Sequence, residues 1–221
     1  MNQPSTGLTV MLLGGTGLVG ASCLARLIDA PEVGQIRLLV RRLPSMHLPD
    51  KVQVCLADFS RLEKHPEWFE VDAVVCALGT TIGKAGSQAA FRQVDFDYPL
   101  QVAQLAKASG ARHFAWVSAL GADSRANVFY NRVKGELEDA LQAMGFESLT
   151  VARPSLLRGN RREFRLGERL ALKVSQWFLP LIPPAWRPVW AGQVAAALVD
   201  AVLHPQPGWR VLANPQLLQM H

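Results

Sequence analysis

Cysteine is scarce in this sequence and poorly placed for a structural task. Cys23, Cys55 and Cys76 form no CxxC pair. Their odd number excludes a complete disulfide framework, and they read as reduced, mostly buried thiols of a cytoplasmic protein. The five histidines are scattered, so no zinc spacing emerges and no metal is expected. Charge of one sign is short as well. The net charge of +5 comes mostly from arginine; it suits an anionic small molecule and falls short of a nucleic-acid surface. No basic segment precedes the first apolar run, so no signal peptide is expected. No apolar run reaches bilayer length, because the longest late stretch, LALKVSQWFLPLIPPAW, is interrupted by Lys173, Gln176 and prolines. Repeats, low-complexity tracts and long linkers are absent.

What is present is alternation. At 221 residues, 49% of them hydrophobic, the chain suffices for one packed domain with a small annex. Apolar runs at Leu8–Gly14, Ile36–Val40, Val52–Ala57, Ala73–Gly79, His113–Ala119 and Ser148–Pro154 read as strands. They lack strict two-residue alternation, which implies burial on both faces. Helical spacing fills the stretches Gly17–Ala30, Ala89–Ser109 and Tyr130–Met144. The expected architecture is therefore α/β, a doubly wound parallel sheet with helices on each side. After Pro154 the texture becomes rich in Arg, Pro and Trp. Residues 155–192 are expected to form a small C-terminal cap over the carboxyl edge of the sheet, within a single domain spanning 1–221.

MLLGGTGLVG places glycines where the first strand turns into the first helix. Gly15, Gly17 and Gly20 fit GxGxxG, and Gly14, Gly17 and Gly20 equally fit GxxGxxG. Such glycines permit a tight turn, close approach of a pyrophosphate, and close helix–strand packing. Amides at the helix start, with the helix dipole behind them, bind negative charge. An NAD-type site would place an acid about 20 residues further on, for the ribose 2′-hydroxyl. This chain has Arg41 and Arg42 in that slot, a pair suited to clamping a 2′-phosphate. NADP(H) is thus expected over NAD. Asp58, ending the third strand, is a candidate for the adenine amino group, and a simple cap before SRLEK explains it nearly as well.

YNRVK sets Tyr130 and Lys134 four apart, on one helix face. A free tyrosine titrates near pH 10, too high for proton transfer at neutrality, and a neighbouring ammonium lowers that value. Ser118 closes the fifth apolar run at the same sheet edge and can hold a substrate oxygen. Together the three read as a proton relay for carbonyl reduction.

The set GGTGLVG, CALGTT, VSALGAD, YNRVKGELE and RPSLL resembles the atypical short-chain dehydrogenase/reductases. More narrowly, LGTTIGKAGS, VDFDYPLQVAQLAK and GNRREFRLGE are similar to the Tat-interacting-protein-like oxidoreductases. The likeness runs from Leu8 to about Leu203. It implies a Rossmann fold, an NADP(H) site and Ser118, Tyr130 and Lys134 as the catalytic group. The cofactor contacts expected on this basis run along Gly14, Thr16, Gly17, Leu18 and Val19, then Arg41, Arg42, Asp58, Leu78, Gly79 and Thr80, with Tyr130 and Lys134. Extended relatives carry an Asn on the fourth helix that orders a water behind the lysine. This chain has Asp95 there, which either binds such a water or pairs with Lys134.

Five arginines crowd LRGNRREFRLGER. Most suit a charged face with Glu163 and Glu168 as partners. Arg161 and Arg165 match the family segment and are the expected substrate-side residues. The aromatic run Trp177–Trp190 suits core or dimer packing. Two functions follow: an NADP(H)-dependent oxidoreductase on a small carbonyl or alcohol, or an NADPH-binding sensor that reports to a protein partner without turnover. A homodimer is compatible with both.

Overall fold

Residue-by-residue burial explains why the strands read as unbroken apolar runs. In the computed structural model, which describes residues 7–45, 47–159 and 182–221, β1 (Leu8–Leu13) sends Val10 and Leu12 into one core and Met11 and Leu13 into another. β4 (Ala73–Cys76) divides likewise, Ala73 and Val75 to the first core and Val74 and Cys76 to the second. Each face of the sheet thus removes its own apolar surface from water, at roughly 25 cal/mol per Å².

Among the described residues, seven strands form one sheet in the order β3-β2-β1-β4-β5-β6-β9, every neighbouring pair parallel. The remaining strands are β2 (Val33–Val40), β3 (Val52–Leu56), β5 (His113–Val117), β6 (Ser148–Arg153) and, late in the chain, β9 (Gly208–Ala213). Helix α1 (Leu18–Asp29) covers the first core with α6 (Ala191–Leu203). Helices α4 (Tyr98–Ala108) and α5 (Phe129–Ala143) cover the second. The winding reverses between β1 and β4, which opens a crevice at their carboxyl ends, where ligands of such sheets bind.

Four features depart from the expected elements. β2 begins at Val33, three residues before the apolar run. The expected helix Ala89–Ser109 is broken into α3 (Gln88–Arg92), one π-helical turn at Gln93–Asp97, and α4. Pro99 explains the break, since it has no amide to give to the carbonyl of Asp95. A short helix α2 (Ile82–Ala85) occupies the loop after β4, its N-terminus capped by Thr81. The alternation also resumes at the end of the chain, where α6 crosses to β9 and the helix α7 (Asn214–Leu217) follows.

Of the expected cap, the described part includes a two-stranded piece, β7 (Leu157–Arg158) with β8 (Val189–Trp190). It springs from the end of β6 and leans on the start of α1. A Cβ on Gly159 would stand 2.4 Å from the Leu18 side chain. Residues 160–181 of the cap, with Arg161 and Arg165, lie outside the described residues. No helix among the described residues is long and apolar enough to cross a membrane.

Candidate functional site

The glycine loop resolves its own ambiguity. Gly14 has φ of 75°, a left-handed conformation that glycine adopts without strain. A Cβ there would meet the Ala77 carbonyl oxygen at 2.5 Å, and one on Gly20 would meet the Gly14 carbonyl oxygen at 2.0 Å. Gly15 faces only the flexible end of Leu38 and the side chain of Leu12. The working triplet is therefore Gly14, Gly17 and Gly20. Gly17 is the exposed member, and a Cβ on it would meet only the Gly14 oxygen, at 3.2 Å. It is the N-cap of α1, with no side-chain cap bond and no acid in the first turn. The exposed Thr16 and half-buried Leu18 flank it, and Val19 is buried below. This open, uncapped helix start fits an anionic group such as a pyrophosphate.

Arg41 and Arg42 follow the end of β2 and are exposed. Asp58 ends its strand region as a turn builder. Its Oδ1 accepts from the Ser60 amide at 3.0 Å and the Ser60 hydroxyl at 2.7 Å. These bonds hold its carboxyl below the usual range. Asp58 is thus a turn residue and not a helix cap: the helical turn that follows, Leu62–Lys64, has Arg61 as its N-cap with no side-chain cap bond, and Arg61 Nε stands 3.8 Å from Asp58 Oδ2.

Across the crevice, α5 carries Tyr130, half-buried against the Phe91 ring at 5.4 Å. One turn on, Lys134 is 3% exposed. Its Nζ lies 2.9 Å from Asp95 Oδ1 and donates to the Val117 carbonyl at 3.2 Å. It also stands over the Trp116 ring, 4.7 Å from the centroid. Asp95 Oδ2 accepts from the Thr80 amide at 2.7 Å. The Leu78–Thr80 loop is thus joined to α5 through the π turn. A Cβ on Gly79 would already press on Asp95 Oδ1, at 3.3 Å. Burial works against the Lys134 ammonium, yet the Asp95 carboxylate carries it above the ordinary lysine range. Of the two roles open to Asp95, the structure has the direct pair with Lys134.

Ser118 belongs to a different cluster. Phe114, Trp116 and Ser118 follow the strand's two-residue period, which turns the serine toward α5. It is buried, and its hydroxyl donates to Glu138 Oε1. Arg153, the last residue of β6, donates to both Glu138 oxygens through Nε, at 3.0 and 3.2 Å, and pairs through Nη2 as well. The structure therefore brings Tyr130 and Lys134 together and commits the Ser118 proton elsewhere. Sequence reasoning passed over Glu138, Arg153 and Trp116. A signal for Glu138 existed: it follows Lys134 by four residues, as Lys134 follows Tyr130.

A parallel sheet with a switch-point crevice, a glycine-cradled helix start and a Tyr–Lys face opposite define a Rossmann-type dinucleotide-binding protein. The chain belongs to the NAD(P)H-binding family, whose model matches residues 14–169. It is 33% identical over 219 residues to Protein HTATIP2 of Rattus norvegicus, covering 96% of this chain and 88% of the rat protein. It is 35% identical over 173 residues to Protein fmp52, mitochondrial, of Emericella nidulans, covering 73% of this chain and 72% of that one. The UDP-glucose 4-epimerase of Thermotoga maritima superposes with a TM-score of 0.70 at 15% identity, over 96% of this chain and 81% of that one. That likeness speaks for the fold alone.

These relatives correct the expected cytoplasmic localisation. The Emericella protein and its counterparts from Candida albicans, Aspergillus niger and Coccidioides immitis are all named mitochondrial, against the cytoplasmic expectation. The cysteines misled because they report burial, not compartment. All three are free and buried, and burial raises Cys23 and Cys76 to about 12 and Cys55 to about 11.

Proposed function

We propose that the protein is an NADP(H)-dependent oxidoreductase of the short-chain dehydrogenase/reductase type, acting on a small carbonyl or alcohol. The observation that carries this is the Tyr130–Lys134 face, one helical turn of spacing with a buried ammonium, set across the crevice from the open start of α1. When bound, the nicotinamide cofactor supplies or accepts the hydride. The loop at Gly14, Thr16 and Gly17, with Leu18 and Val19, holds the pyrophosphate. Arg41 and Arg42 receive a 2′-phosphate, and Leu78, Gly79 and Thr80 line the far wall. Asp58 is assigned to the adenine edge, through whatever acceptor capacity its turn leaves.

In reduction, the Tyr130 hydroxyl gives its proton to the substrate oxygen as negative charge develops there. Lys134 stabilises the phenolate left behind. Arg161 and Arg165 are proposed for the substrate side, in a single Rossmann domain with residues 155–192 as its cap. The test is NADPH oxidation against a panel of aldehydes, ketones and quinones, with NADPH and NADH affinities measured alongside. Tyr130→Phe is expected to bind NADPH as the parent does and to turn over about 10²–10⁴-fold more slowly. Equal turnover, or a parent that prefers NADH, overturns the assignment.

A second reading has its own support. The only proton of Ser118 is donated to Glu138, so a serine donor for substrate is missing. This favours a sensor that binds NADPH without turnover and reports it to a protein partner or a second copy of itself. A partner retained by the NADPH-loaded form alone, with no oxidation of NADPH by any of the panel, would favour it.

A further inference from the structure

A buried ammonium with no counter-charge gives up its proton, because burial disfavours the charged form. The groups that face Lys134 Nζ come from four elements. From the π turn comes Asp95, itself 1% exposed, at 2.9 Å. From β5 come the Val117 carbonyl and the Trp116 ring, both uncharged. From β4 comes Cys76, whose thiol burial pushes up to about 12 and so keeps neutral. From α5 itself come the Tyr130 phenol, one turn earlier, and Glu138, one turn later, whose oxygens are taken by Ser118 and Arg153. Asp95 is the carboxylate within bonding distance, and its second oxygen is held by the Thr80 amide. Its seat is a π turn, a rare geometry that recurs at functional sites.

We propose that Asp95 is the fixed counter-ion of Lys134, a positioning residue that keeps the lysine charged before any cofactor arrives and ties the loop after β4 to the helix bearing Tyr130. The catalytic meaning rests on the function proposed above. The pairing itself does not, and its test reads stability alone.

The experiment compares thermal melts of the parent and Asp95→Asn between pH 6 and 9. In the parent, Lys134 is charged in the folded and unfolded chain throughout that window, so it adds no pH dependence there. In Asp95→Asn the folded amine sheds its proton while the unfolded one keeps it. The unfolded state then binds one more proton, so the variant gains stability as pH rises, by up to about tenfold in the folding constant per pH unit. Its deficit against the parent is therefore expected to be largest at pH 6 and to shrink toward pH 9. Asparagine still accepts from the Thr80 amide, so a merely structural role gives a deficit that is equal at every pH. The double variant Asp95→Asn/Lys134→Met removes the buried amine. It is expected to melt higher than Asp95→Asn at pH 6 and to show no pH-dependent deficit. If Asp95→Asn does not fold at pH 6, folding of the double variant there decides the question in the same way. A constant deficit, or a double variant no better than the single at pH 6, overturns the proposal. Failure to oxidise NADPH would leave these melts untouched, so the two readings fall separately.

Discussion

Glycines that look alike in the sequence carry different duties. At Gly20 a methyl group would collide with the Gly14 carbonyl, so that position belongs to packing. At Gly17, the N-cap of α1, a methyl group would meet only the Gly14 carbonyl oxygen, at 3.2 Å, a tight contact and not a collision. Gly17→Val is therefore expected to fold with a melting temperature close to the parent's and to lose NADPH binding; calorimetric titration of the folded variant checks it. Ser118 allows an equally sharp separation. Its loss leaves Glu138 one donor short in a buried setting, a cost of about 1–3 kcal/mol. Ser118→Ala should thus melt lower while its turnover falls less than tenfold, because a proton already given to Glu138 is not available to substrate. A loss of 10²-fold or more would return the serine to the catalytic group. Of the candidate site residues, those placed by type and spacing alone were legible in position: the glycines at the turn from β1 to α1, and Tyr130 and Lys134 one turn apart on α5. The direction of the Ser118 hydroxyl was not, because it depends on which face of β5 the residue occupies and on Glu138, twenty positions away.

At the scale of elements, the helix α5 is held at both ends of the site. Lys134 bonds the last carbonyl of β5, Ser118 bonds Glu138, and the loop 121–127 lies directly against Gly135. A Cβ at Gly135 would meet the Ser124 amide nitrogen at 2.1 Å and the Asp123 carbonyl carbon at 2.2 Å. That is backbone, which cannot swing aside. Gly135→Ala should accordingly displace the loop and cost about 1–3 kcal/mol, read as a fall of several degrees in thermal melting. Unchanged melting would mean the loop is not seated on the helix. The expected strands were legible where both faces are buried, as in β1 and β4; the edge strand β3 was legible by its apolar run alone, since Gln53 and Leu56 are exposed. The π turn was not, since a single turn of five residues, Gln93–Asp97, is too short to establish a period of its own. Helix α6 escaped for the opposite reason. Its buried residues include Ala191, the whole run Val194–Val199, Ala201 and Val202, so it shows no polar face by which to recognise a helix. Strand β9 follows two prolines, Pro205 and Pro207, at the sheet edge, where apolar character is weakest.

For the molecule as a whole, the two faces of the sheet draw on different spans of the chain. Among the described residues, the core under α4 and α5 is assembled from residues between Met11 and Val151, with Trp209 packed at its margin. The core under α1 also needs Val189, the residues of α6, Leu212 and Leu217. Synthesis proceeds from the amino end, so a nascent chain that has passed Val151 already holds what one face requires. On the other face α1 already packs on β1 and β2, but the side of it that α6 covers stays exposed until residues 189–217 emerge. Contacts between the two extremes of a chain are slow to form, and exposed apolar surface in the interval invites aggregation. Birth on the ribosome is thus the most exposed moment in the life of this protein, and a premature stop near position 188 would make that exposure permanent.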